Sequence, residues 1–253
     1  MTKDEYKTAI KNLIYLSSCA VKGETPNRER VNKMNLAQLY SVAGKHQLIA
    51  ATAFALEAAG VTDASFSQAK YMAIRKLMLM DADMEKLFAL MEQAGIWYMP
   101  LKGAVLKDDY PELGMRQMSD HDILFDAAHA EEVKAIMEGL GYTSKYFGSS
   151  NHDCYYKEPV YNFEMHRALF GRRHEVKLQD YYRNVKDRLI QDDGKNYGYH
   201  FSPEDFYIYM IAHEYKHYIS GGTGLRSLLD TYVYLIKHEL DMLATDTCNR
   251  GII

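Results

Sequence analysis

The chain has 253 residues, 34 acidic against 30 basic side chains, a formal net charge of −4 and 47% hydrophobic residues. These figures suit a soluble globular protein of one large domain or two modest ones. They exclude a global electrostatic attraction to nucleic acid or to an anionic membrane. Three cysteines, Cys19, Cys154 and Cys248, are widely spaced and form no CxxC pair. That fits a reducing cytosol and argues against a disulfide framework or a Cys-rich zinc site. No apolar stretch follows the N-terminal Met-Thr-Lys-Asp-Glu-Tyr-Lys, so no secretory signal is visible. The longest apolar run, Leu48–Leu56, is too short to span a bilayer. A cytoplasmic location and no membrane partner are expected.

Residues 1–94 read as a helical region. Tyr6, Ile10, Leu13, Ile14 and Leu16 recur at spacings of three and four, predicting a helix over Asp4–Val21. Gly23–Asn27 is a break, with Thr25 and Pro26 suited to open the next helix. Residues 34–60 predict two short helices that meet near Gly44–His46, the second stopped by Gly60. Ala64–Ala94 carries the longest helical pattern, and its methionines read as soft core packing.

The pattern changes at Gly95. Residues 95–172 predict a β-α-β-α-β-β-β unit. Its strands fall at Ile96–Leu101, Asp120–Phe125, Tyr142–Phe147, Cys154–Tyr156 and Val160–Leu169, with a helical turn at Gly103–Lys107 and a helix over Ala127–Leu140. Residues 173–253 are helical again, over His174–Leu189, then from Ser202-Pro203 to Ser220, then over Leu225–Leu240. The ending Cys248–Ile253 carries no pattern and is compatible with a chain that continues. The expected class is α+β: a small mixed sheet flanked by N-terminal and C-terminal helical regions.

The chemistry concentrates in Met118–Phe125. Asp120 and Asp122 stand two apart, which on a strand puts both carboxylates on one face. Like charges that close call for a bound cation or a raised pKa. Leu101-Lys102-Gly103 precedes them, and Glu164 follows inside the apolar frame Phe163-Glu164-Met165. Three such acids suit two divalent cations roughly 3.5–4 Å apart. Charge buried in apolar frames makes a merely solvated strand the poorer account.

This order resembles the nucleotidyltransferase superfamily with the polymerase β-like fold, and within it a branch of uncharacterised nucleotidyltransferases. That branch pairs Leu-Lys-Gly with Arg-x-x-Ser-Asp-x-Asp, Glu-x-His, His-x-x-Lys-His and Leu-Arg-x-Leu-x-Asp. The matching residues are Leu101-Lys102-Gly103, Arg116 through Asp122, Glu164-Met165-His166, His213–His217 and, approximately, Leu225–Asp230. The resemblance implies a nucleotidyltransferase α/β core and Mg²⁺- or Mn²⁺-dependent transfer of a nucleoside monophosphate from an NTP to an acceptor. The acceptor stays open: a small molecule, a protein or an RNA end, with no extended nucleic-acid surface. Asp120, Asp122 and Glu164 would be catalytic and hold the metal. Lys102, Gly103, Arg116, Ser119, His166, Lys216 and Arg226 would bind nucleotide. Two departures stand out: Ala104 replaces the usual serine, and the gap from Gly103 to Asp120 is long.

Plainer readings accompany several of these residues. Lys102 and Arg116 can simply pair with acids. Ser119 can cap a strand end, and His166 can be a structural histidine. Arg226 and Asp230, four apart, can pair on their helix. Two other functions are also consistent with the sequence. His213-Glu214-Tyr215-Lys216-His217 is literally His-Glu-x-x-His, the zinc metallopeptidase motif, with Glu239 as a possible third ligand. Lys216 beside the second histidine opposes a zinc ion. The remaining reading is a catalytically inactive nucleotide-binding regulator.

Overall fold

Local capping explains where the first helices begin and end. The computed structural model describes residues 1–159, 161–171 and 176–241. Its helices and strands, in chain order, are α1 (Lys3–Lys22), α2 (Arg28–Asn32), α3 (Leu36–Lys45), α4 (Ile49–Ala58), α5 (Ala64–Ala94), β1 (Tyr98–Leu101), α6 (Gly103–Leu106), β2 (His121–Phe125) and α7 (Ala130–Gly139). There follow β3 (Thr143–Lys145), β4 (His152–Lys157), β5 (Tyr161–His166), α8 (Val176–Tyr181), β6 (Ile190–Gln191), β7 (Tyr199–His200), α9 (Pro203–Gly221) and α10 (Leu225–Lys237). Thr2 and Glu5 close a reciprocal capping box on α1, and Gly23 ends it at φ 67°. The next helix opens at Asn27, whose side chain accepts from the Arg30 amide at 2.9 Å. Thr25 and Pro26 stay outside it, because the Asn27 side chain supplies the cap.

The chain divides into two compact units. The first comprises Met1–Met78, Leu106–Met118 and Gly222–Lys237. Its core joins Leu13, Leu16, Leu39, Val42, Leu56, Phe66, Tyr110, Met115 and Val233. Small alanines of α4, Ala50, Ala51, Ala53 and Ala55, are buried. Gly114 is required where it stands: its φ is +78°, and a Cβ there would meet the Ile74 backbone at 2.9 Å. At the polar centre of this unit Arg116 grips Asp230, Nε to Oδ1 and Nη2 to Oδ2, both at 2.9 Å. The Tyr110 hydroxyl donates to the same Oδ1 at 2.7 Å.

The second unit comprises Leu79–Val105, Ser119–Gly221 and the described residues from His238 on. It holds a five-stranded sheet in the order β1-β2-β5-β4-β3. Strands β2 and β5 run parallel, and the other neighbours are antiparallel. Ile123, Phe125, Phe163, Met165 and Tyr155 face a core with Leu87 and Met91 of α5 and Val133 and Met137 of α7. Alternation therefore turns Asp122, Glu164, His166 and Cys154 to the opposite face. The expected α+β class, a mixed sheet flanked by helices, is what the chain adopts. No helix among the described residues is long and apolar enough to cross a membrane.

Differences from the sequence reading lie at the edges of elements. β2 starts at His121, so Asp120 stands just ahead of the strand. The helix expected over His174–Leu189 is the short α8 followed by a 3-10 turn at Val185–Arg188. Between α8 and α9 the short strands β6 and β7 pair antiparallel as a hairpin. Val160, 172–175 and Cys248–Ile253 lie outside the described residues.

Candidate active site

Strand register builds the site. Asp122 of β2 stands opposite Glu164 of β5, and Glu164 stands opposite Cys154 of β4. The next row on the same face sets His166 of β5 opposite His152 of β4. Leu101 of β1 neighbours Asp122, and the chain turns immediately after it. Lys102 makes that turn with φ at 46°, and Gly103 begins α6. A lysine in this left-handed conformation is uncommon, and such residues cluster at functional sites.

The turn delivers the ammonium to the acid. Lys102 Nζ lies 2.5 Å from Asp122 Oδ1, and His166 Nε2 lies 2.8 Å from the same oxygen. His166 Nε2 is also 3.5 Å from Glu164 Oε2. Asp122 is 4% exposed. Burial alone would raise its carboxyl, but Lys102 and His166 outweigh burial and hold it far below the carboxylate range. Burial opposes charge on His166, yet its hydrogen bonds to Asp122 and Glu164 lift it above the ordinary imidazole value. His166 thus approaches both acids through one ring nitrogen. One oxygen from Asp122, one from Glu164 and a His166 nitrogen lie within 4.8 Å of one another, close enough to share a metal ion.

Helix α9 faces these charges. Burial, then the charges of Lys102 and Lys216, push His213 well below its usual value. Burial, then Lys102, lowers Lys216, against the pull of Glu164 and Asp122. Tyr209 is 1% exposed and is raised by burial and by the charges of Asp122 and Glu164. Its hydroxyl has no hydrogen-bond partner among the described residues.

The other expected residues fall as follows. Asp120 and Ser119 are half-buried just before β2. Burial, then the charges of Glu164 and Asp120, raise the Cys154 thiol. His121, between the two aspartates, points the other way and is fully buried 3.1 Å from Asp81 Oδ1. Arg116 and Arg226 belong to the first unit. Arg116 takes its plainer reading there, as the bidentate partner of Asp230. Arg226 donates to the Gln47 side chain, and its Nη1 is 3.5 Å from the Gln117 carbonyl. Three residues of this face were not singled out from the sequence: His152, Cys154 and Tyr209. His152 falls outside the strand expected over Cys154–Tyr156 and inside the observed β4.

The His-Glu-x-x-His helix has His213 Nε2 and His217 Nε2 3.2 Å apart. Among the described residues, these nitrogens join no third ligand in a group able to hold a metal. Glu239 is in no such group either.

The class is nucleotidyltransferase, by the description of the family model that matches residues 32–247. The chain belongs to that family, the uncharacterised nucleotidyltransferases. No curated protein and no solved structure matches it.

Proposed function

We propose that this protein transfers a nucleoside monophosphate from an NTP to an acceptor hydroxyl or phosphate, in a reaction that needs Mg²⁺ or Mn²⁺. The observation that carries the reading is the register pair Asp122 and Glu164, with Lys102 and His166 on the same carboxylate. The donor set fits such a cation: two carboxylates, which supply the hard oxygen ligands that Mg²⁺ and Mn²⁺ take. When bound, the divalent ion would neutralise charge on the triphosphate and on the attacking oxygen.

The chain's own residues do the rest. Lys102 and His166 both favour the charged form of Asp122. Glu164, less buried than Asp122, is the acid best placed to take the acceptor proton. His166 orients both acids. Lys102 and Lys216 put positive charge beside them, where a triphosphate would need it. Gly103 and Ser119, in the same unit, complete the proposed nucleotide contacts. Asp120 would add a third carboxylate from its place before β2. The acceptor is a small molecule, a protein or an RNA end, and the setting is cytoplasmic.

The test is transfer of label. With wild type, label from an α-labelled NTP should appear on an acceptor in a desalted extract, and label from the γ-position should not. Asp122→Asn should abolish it. Transfer of γ-label would mean phosphoryl transfer, and transfer by Asp122→Asn would remove this acid from the reaction.

A further inference from the structure

Glu164 belongs to two clusters of ligating atoms. Besides Asp122 and His166, its carboxylate lies within 4.8 Å of ligand atoms of both His152 and Cys154. Nothing in nucleotidyl transfer calls for a thiol at this place. Yet Cys154 faces Glu164 across the antiparallel pair β4–β5, and His152, two residues earlier, shares its face. His152 Nε2 is 3.8 Å from Glu164 Oε2. The Nδ1 atoms of His152 and His166 are buried and have no hydrogen-bond partner among the described residues. The two rings lie 5.0 Å apart, centroid to centroid. Cys154 carries a free thiol, half-buried.

A simple ion pair between His152 and Glu164 would explain their approach. It would not explain a sulfur in the same row. Nitrogen, sulfur and oxygen together are a poor set for Mg²⁺, which takes oxygen ligands and demands near-octahedral geometry. They are an ordinary set for Zn²⁺, which binds Cys, His and carboxylate and, with three protein ligands, keeps a fourth position open.

We propose that His152, Cys154 and Glu164 form a binding site for a zinc-class transition-metal ion, with Glu164 shared between it and the Asp122–His166 cluster. Binding deprotonates Cys154 and releases that proton to solvent. The protein then carries a soft site and a hard site joined by one carboxylate. The inference shares Glu164 with the proposed reaction but does not rest on it, since the metal is read without nucleotide.

The experiment titrates metal-stripped, full-length protein with cobalt(II), a spectroscopic stand-in for zinc. One equivalent should bind and give the intense near-ultraviolet band of thiolate-to-cobalt charge transfer. Cys154→Ser should lose the band while keeping the wild-type circular dichroism. His152→Asn should keep a weaker band and lose affinity by tenfold or more. Asp122→Asn should retain the band. No charge-transfer band in wild type overturns the proposal, and so does a band that survives in Cys154→Ser, which would belong to Cys19 or Cys248. A band present where NTP transfer is absent leaves the metal site standing and refutes the transfer reading; transfer without the band does the reverse.

Discussion

Lys102 Nζ stands 2.5 Å from Asp122 Oδ1 and reaches it from a left-handed backbone. That conformation costs a non-glycine residue roughly 1–2 kcal/mol. It is tolerated where the surroundings over-determine it, here between β1 and α6. Lys102→Met should lower transfer about 100-fold or more, the order of magnitude for removing one preorganised electrostatic group. It should also lower stability by about 1–3 kcal/mol, because buried Asp122 then keeps only His166. Lys102→Gly should be as inactive, yet about 1 kcal/mol more stable than Lys102→Ala. Thermal melts of the three variants, run beside the labelled-transfer assay, check the ordering.

Arg116 and Asp230 form a bidentate pair with side chains only 6% and 8% exposed. Removing one member of a buried pair strands the other, at about 3–5 kcal/mol. Asp230→Ala should therefore destabilise strongly, and Arg116→Lys should not rescue the geometry, because an ammonium cannot reproduce the fork. Denaturant midpoints of the two variants are the measurement. Wild-type stability in Asp230→Ala would remove the pair from the account of the first unit.

Asp83 supplies a pH dependence. Burial alone would raise its carboxyl, but hydrogen bonds from Lys157, Lys86 and Tyr142 outweigh burial and hold it below the ordinary value. A carboxyl lowered on folding stabilises the fold above its unfolded pKa, about 4, and loses that contribution as pH falls through the lower folded value. Asp83→Asn should be less stable than wild type at pH 7, and the gap should narrow below about pH 4. Melting temperature against pH, for both proteins, reads this directly.

Glu214 distinguishes the two motif readings of α9. Its side chain is 27% exposed, 4.0 Å from His213 Nδ1. Glu214→Gln should leave labelled transfer unchanged. Abolished activity in that variant, with Asp122→Asn unaffected, would bring back the peptidase chemistry.

What was legible in the chain was local. α5 runs over Ala64–Ala94 as its periodicity predicts, and Ser202 accepts from the Asp205 amide at 3.2 Å as the expected cap. The apolar frames singled out Asp122 and Glu164, but their common face comes from the register of β2 and β5. Long-range pairings were not legible. Arg116 and Asp230 are 114 residues apart, and no local pattern couples them. His152 and Cys154 gain meaning only from Glu164 in register across β5, a relation made by the sheet. The left-handed residue of the turn is Lys102 and not the glycine beside it. The hairpin β6–β7 has two-residue strands, too short for alternation to register.

The most direct test of the central claim is the thermal stability of wild type and Asp122→Asn with each NTP, with and without Mg²⁺ or Mn²⁺. A ligand at about one hundred times its Kd adds roughly 2.7 kcal/mol. We expect a stabilisation by NTP that requires the divalent ion in wild type and is lost in Asp122→Asn. An NTP effect that ignores the metal, or one that persists in the variant, would contradict the assignment of Asp122 and Glu164 as the metal-holding acids.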